Sequence, residues 1–241
     1  GYDQLSLAAG ASLAVGDGVH PGIVILNGPS YLLGATGALD FGSSEGVIVC
    51  GNKTSYVRTA IAGRQGLTIA TIPDFAEKAD RSVLELSGNN TYAGDTRIGA
   101  LRVVATGANC FSSGDVHVLD GERFGGEVRF SLAGGVWTNG FHIAGWGARD
   151  TIYNGSEYNG ALSFAESGMV SGDVELTSLA RVCAQAGTTG TLAGTVSGER
   201  LQVFDLTHLG FARFDFIRNG LDLCPVLDLV GRNVLHIAGD I

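Results

Sequence analysis

The apolar runs of this chain are very short, and that constrains its fold more than any other feature. Runs such as 23–26, 47–49, 83–86, 101–104, 116–119, 127–130, 141–143, 162–164, 174–176 and 234–237 hold three or four residues each. In every one, residues two apart fall on one face of a strand, so the apolar set points inward. Asn27-Gly28, Asn139-Gly140, Asn154-Gly155, Asn159-Gly160 and Asn219-Gly220 punctuate the runs as turn signals. Many short strands at this spacing build a sandwich, a barrel or a solenoid. Asn-Gly turns alone favour hairpins. The shortness of the strands, the recurring phrase of strand, glycine, polar residues and strand, and the small residues beside it favour the solenoid. Glycine and alanine sit where adjacent coils would approach too closely for a larger side chain. At a period in the twenties the chain holds roughly ten coils. The expected fold is therefore all-β, one β-solenoid domain spanning 1–241.

Composition agrees and removes several functions. The chain has 38 glycines and 45% hydrophobic but only 16% charged residues, enough apolar content for a core and too much for disorder. A net charge of −9, with lysine only at Lys53 and Lys78, argues against nucleic acid as a partner. No apolar stretch reaches the roughly 18–20 residues that span a bilayer, so direct membrane insertion is not expected. No signal-peptide pattern is present, and export would rely on a signal removed or lying outside these residues. Cys50, Cys110, Cys183 and Cys224 form no C-x-x-C pair. They read as buried small hydrophobes, with three disulfide pairings left open.

One stretch breaks the pattern. Residues 73–82 are polar, charged and glycine-free, with Pro73 placed to start one or two helical turns. The whole segment 71–82 reads as a loop protruding from the stack, which a solenoid tolerates at little cost.

Residues 84–104 carry a family likeness. Ser87-Gly88, Asn90, Tyr92, Gly94, Thr96 and Ile98, followed by Gly99 and Leu101, resemble the autotransporter-associated β-strand repeat of bacterial surface proteins. A looser likeness runs from about residue 37 to 146. The insertion at 71–82 and the short interval from Ile98 to Leu101 depart from the repeat and alter the coil geometry there. The resemblance implies a right-handed parallel β-helix, exported and either displayed on or released from the cell surface. The phrase itself reads as structural: Gly88 and Gly94 supply positive φ at coil corners, Asn90 bonds backbone or stacks in a ladder, Tyr92 packs over the turn, and Thr96 and Ile98 open the next strand.

A β-helix can also host polysaccharide chemistry, which needs two carboxylates, or a base with a carboxylate or metal, on adjacent coils. Asp115, Asp120, Glu122, Glu127, Asp173 and Glu175 occur singly at strand edges and read as solvated. Asp205 and Asp215 flanking Arg213 in the aromatic-rich stretch 204–216 form the best candidate cluster and read as a salt-bridged surface. His20, His117, His142, His208 and His236 show no metal spacing, and His117, His142 and His236 face outward by alternation. No nucleophile-elbow, phosphate-loop, dinucleotide or calcium-repeat motif occurs. The sequons at Asn52, Asn89 and Asn154 carry no weight outside a eukaryotic secretory route. No catalytic residue, metal or cofactor is assigned.

Trp137, Trp146, Tyr153 and Tyr158 cluster along the chain and are the candidate carbohydrate contacts. The expected function is a non-catalytic, secreted or surface-displayed passenger segment, a rigid stalk with adhesin-like faces. A polysaccharide-processing β-helix enzyme and a carbohydrate-binding module are the alternatives. Expected partners are a surface glycan or a host or matrix protein, and solenoid edges could associate end to end or side by side.

Overall fold

A computed structural model describes residues 3–34, 36–72, 82–121, 125–150, 157–198, 200–205, 212–217, 226–230 and 233–238. Side chains are described for these residues except 149, 150, 157, 200, 202–205 and all those after 211. Strands account for all the regular structure among the described residues, and no helix occurs there. The segment 73–81, expected to carry helical turns, lies outside the described residues.

The strands return in parallel register, coil upon coil. The first face stacks ten strands: Asp3–Ser6, Ser30–Leu33, Thr54–Val57, Val83–Leu86, Arg102–Ala105, Glu127–Phe130, Leu162–Phe164, the second half of Val174–Ala184, Arg200–Asp205 and Val226–Val230. The second face stacks Gly22–Leu26, Gly46–Cys50, Leu67–Thr71, Thr96–Ile98, Val116–Val118, Phe141–Gly145, the first half of Val174–Ala184 and Val196–Gly198. Because Val174–Ala184 turns the corner as one strand, the two faces join into one 17-stranded sheet. A third face carries Ser12–Ala14, Ala38–Asp40 and Ala60–Ala62, then Gly135–Trp137, Gly168–Val170, Thr189–Leu192, Ala212–Ile217 and Asn233–Ala238. Between its two runs, turns at 90–93 and 109–112 keep the face continuous through Thr91 N–H to Ile61 O (2.8 Å) and Asn90 N–H to Asn109 O (3.1 Å). The connectivity is that of a β-solenoid: each strand pairs with the strand one coil away rather than with its chain neighbour. Among the described residues only Arg149–Asp150 and Glu157–Tyr158 pair antiparallel, so Asn27-Gly28 and Asn139-Gly140 make corners and not hairpins.

The core is a set of columns parallel to the stack. Leu32, Val57, Leu86, Ala105, Phe130 and Phe164 follow one another in register on the first face, and all are buried. Ile48, Ile69, Ile98, Val118, Ile143 and Leu176 do the same on the second. Period-2 alternation sets this pattern, since a one-residue slip would turn the apolar set outward. Stacked outer side chains repeat at the strand spacing of about 4.8 Å. Tyr31 lies on Tyr56 with centroids 4.4 Å apart, and His117 on His142 at 4.5 Å.

Glycines set the close approach of the coils. A Cβ on Gly114 would strike the Gly94 carbonyl, one on Gly172 the Asn139 carbonyl, and one on Gly194 the Gly172 carbonyl. Gly88 and Gly94 belong to this class. Neither has positive φ; a Cβ on Gly94 would lie 2.6 Å from Gly66 N, and one on Gly88 would meet the Thr59 carbonyl. Their expected role in corner conformation is thus replaced by backbone-to-backbone contact between coils. Asn90 clamps three coils: its Oδ1 accepts the Ile61 N–H at 2.8 Å, and its Nδ2 donates to the Cys110 carbonyl at 2.5 Å. Tyr92 is buried, with its hydroxyl on Thr96 Oγ1, and Ile98 is in the core. Cys50 and Cys110 are buried in the core as free thiols, Cys183 is buried in register with Ser163 on the other side of its strand, and Cys224 lies outside the described residues.

Candidate functional site

The outer surface of the second face brings several acid and imidazole groups together. Alternation turns Arg97, His117, His142, Glu175 and Ser197 outward, and the register places them in one row. Two residues before each strand's outward position, at the corner, stand Asp95, Asp115 and Asp173. His117 Nε2 lies 3.2 Å from Asp95, and His142 lies between two carboxylates, Nδ1 at 2.6 Å from Glu175 and Nε2 at 3.4 Å from Asp115. The imidazole can donate both of these bonds only when it carries two protons. Asp95 and Asp173 also work on the scaffold, each accepting the N–H of a residue one coil on, Asp115 at 3.2 Å and Thr195 at 2.8 Å. A groove of about 540 Å³ runs past Asp115, Thr138, His142, Asp173 and Glu175.

This brings together residues that read as solitary in the sequence. Asp115 and Glu175 stand on opposite sides of one imidazole, and glycoside hydrolysis likewise uses a pair of carboxylates facing one another across its site. What such chemistry also needs is a carboxyl kept protonated by burial. Asp115 and Glu175 are 53% and 54% exposed, and each has the imidazole as its ionic partner. The row therefore presents exposed polar groups, paired with one another, that can hold polar ligands. Among the described residues no cluster of three or more His, Cys, Asp or Glu is placed to hold a metal ion.

A second cluster lies at the corner where the second face turns into the first. Trp146 is 43% exposed. Tyr158 meets it edge-on with centroids 5.6 Å apart, and the Arg181 guanidinium lies 4.9 Å from its ring centre. Arg181 is itself buried and donates to the Tyr158 carbonyl at 3.3 Å. Asp120 faces the same notch of about 440 Å³, with its Oδ1 accepting the Gly121 N–H at 2.9 Å.

The other singled-out residues separate clearly. Trp137 is a core residue and no sugar platform: it is fully buried on Phe130, with its Nε1 donating to the Gly107 carbonyl at 3.1 Å. It turns inward because Gly135 and Gly168 leave room, a Cβ on either falling within 3 Å of the indole. Glu127, expected to be solvated, is fully buried between Arg102 Nε at 2.8 Å and Ser163 Oγ at 2.6 Å. His20 is exposed and pairs locally with Asp17 at 2.8 Å. Tyr153, Glu122 and His208 lie outside the described residues, as do the side chains of Asp205, Arg213, Asp215 and His236.

The His142 constellation did have a signal in the sequence. The phrases starting at Gly94, Gly114, Gly172 and Gly194 share a corner glycine followed by a polar residue and a strand, and 139–143 fits the same frame with Asn139 in the glycine position. Aligning them puts Asp115, His142 and Glu175 on one surface. No known protein family, curated protein or solved structure matches the chain.

Proposed function

We propose that the chain is a segment of a right-handed parallel β-helix from an exported bacterial surface protein of the autotransporter-associated repeat type, acting as a rigid, non-catalytic scaffold with adhesin-like faces. The observation that carries this reading is the role of the repeat residues. Gly88, Asn90 and Gly94 hold one coil against the next, Thr96 and Ile98 pair in the strand ladder with the coils on either side, and Tyr92 is buried with its hydroxyl on Thr96. A chain whose most recognisable phrase is devoted to coil stacking is built to hold a shape. Its partners in this reading are a surface glycan or a host or matrix protein, with association end to end or side by side through solenoid edges.

A second reading is a polysaccharide-processing enzyme, favoured by Asp115 and Glu175 flanking His142 in an open groove. One experiment with two arms separates them. Protease treatment of intact source cells should remove the chain, and its survival until the cells are lysed would sink the surface assignment. The purified chain, incubated with a panel of polysaccharides, should release no reducing ends. Release that disappears in Asp115→Asn and Glu175→Gln would establish the enzyme instead.

A further inference from the structure

We infer that the notch around Trp146 is a binding subsite for a neutral pyranose, the indole serving as its platform and Asp120 as its hydroxyl acceptor. Trp146 is the one exposed large aromatic among the described residues, in a chain that buries Phe41, Tyr92, Phe111, Phe130, Trp137 and Phe164. It is also held in place. The buried Arg181 guanidinium stacks on the indole, Tyr158 abuts it edge-on, and the Gly160 N–H binds the Trp146 carbonyl at 2.8 Å. A large apolar ring packed against a buried guanidinium and a half-buried tyrosine, and still open to solvent, is what the C–H face of a sugar stacks on, with little rotamer freedom left to lose on binding.

The rest of the notch suits the polar edge of the same ligand. Gly121, Gly125, Gly145 and Gly147 line it without side chains, so a flat ring can approach the backbone. A Cβ on Gly145 would collide with the Asp120 carboxylate, so this glycine is what lets Asp120 lie over the strand end. Asp120 is exposed and keeps acceptor capacity beyond its bond to the Gly121 N–H. The volume of about 440 Å³ falls in the range of small-ligand clefts. Charge selects the sugar class. The carboxylate in the notch and the net charge of −9 repel uronates and phosphosugars. Arg181 does not present its charge to a ligand, since its guanidinium is engaged by the indole face and by the Tyr158 carbonyl. The inference holds whether or not the chain is exported and whether or not it is an adhesin.

The test is a titration of the whole chain with methyl β-galactoside, methyl β-glucoside, cellobiose and, separately, polygalacturonate. It is followed by tryptophan fluorescence and by ligand-observed NMR. Trp137 is buried, so a saturable emission change reports Trp146. Binding of at least one neutral saccharide is expected, weakened at least about tenfold by Trp146→Ala and by Asp120→Asn, with Trp146→Phe intermediate. Asp120→Asn keeps the side chain's size, so an unchanged melting curve shows that its loss of affinity is not a loss of fold. Glu175→Gln, in the other groove, should leave binding unchanged. The inference is overturned if no neutral saccharide binds, if polygalacturonate binds better, or if Glu175→Gln abolishes binding while Asp120→Asn does not.

Discussion

At the scale of single residues, the stack depends on polar side chains that cross between coils. Asn90 satisfies the Ile61 N–H above and the Cys110 carbonyl below, all in the dry interior. Asn90→Ala strands both backbone groups, and Asn90→Asp keeps the acceptor but loses the donor. Each should cost about 2–4 kcal/mol, alanine the more, read as a fall in the denaturant midpoint. A second prediction concerns the thiols. Burial raises Cys50 and Cys110 from 9 to about 12, so in the folded chain they stay protonated where free thiols ionise. The raised values imply a stability contribution that is fully present below pH 9. It is lost as the pH climbs through about 12, because the unfolded chain releases these protons first. Iodoacetamide at pH 8, mapped by mass spectrometry, should leave both residues unmodified until denaturant is added. Rapid labelling of either in the native chain would contradict their burial.

At the scale of elements, two kinds of glycine can be told apart by experiment. Gly114 stands where a Cβ meets the Gly94 carbonyl of the preceding coil, whereas Gly134 has φ +68 and nothing within 4 Å of where its Cβ would be. Gly134→Ala should cost about 1 kcal/mol through backbone conformation alone. Gly114→Ala should cost more, about 2–3 kcal/mol, because the coils must move apart. Equal melting shifts for the two would mean that the glycine column does not set the coil spacing. The same contrast explains what the sequence disclosed. Inward and outward faces were legible where polar and apolar residues alternate, and Val116, Val118, Phe141 and Ile143 are buried around His117 and His142 as their runs require. Trp137 was not legible, because glycines at 134–135 and 140 resemble a turn, while in space Gly135 and Gly168 form the seat of a buried indole. Asp115, His142 and Glu175 escaped notice for another reason. The coil period shifts from 19 residues between Val83 and Arg102 to 34 between Val128 and Leu162, so no fixed spacing reveals which outer residues align.

At the scale of the whole molecule, a solenoid has no single centre, and its stability is distributed coil by coil. Each interior coil is paired on both sides and closes its columns with buried residues. Among the described residues, the coil of residues 3–26 is paired on one side: Asp3–Ser6 and Ser12–Ala14 meet strands of the second coil, and Leu5, which stands in the buried column of Leu32 and Val57, is 47% exposed. Ile23 and Ile25 on the same coil are 56% and 63% exposed. Amide exchange should therefore be graded along the chain. Protection should be lowest in residues 3–26 and highest in strands 83–86, 102–105, 116–118 and 127–130, which carry neighbours on both sides. The gradient separates two mechanisms. If coils open independently from the end, Gly114→Ala will lower protection in strands 96–98, 116–118 and 141–143 and leave residues 3–26 as they were. If the chain unfolds as one cooperative unit, the substitution will lower the most protected amides everywhere by the same amount. Nearest-neighbour coupling through backbone ladders predicts the first outcome, and a uniform loss would show that the core columns act as one body along their whole length.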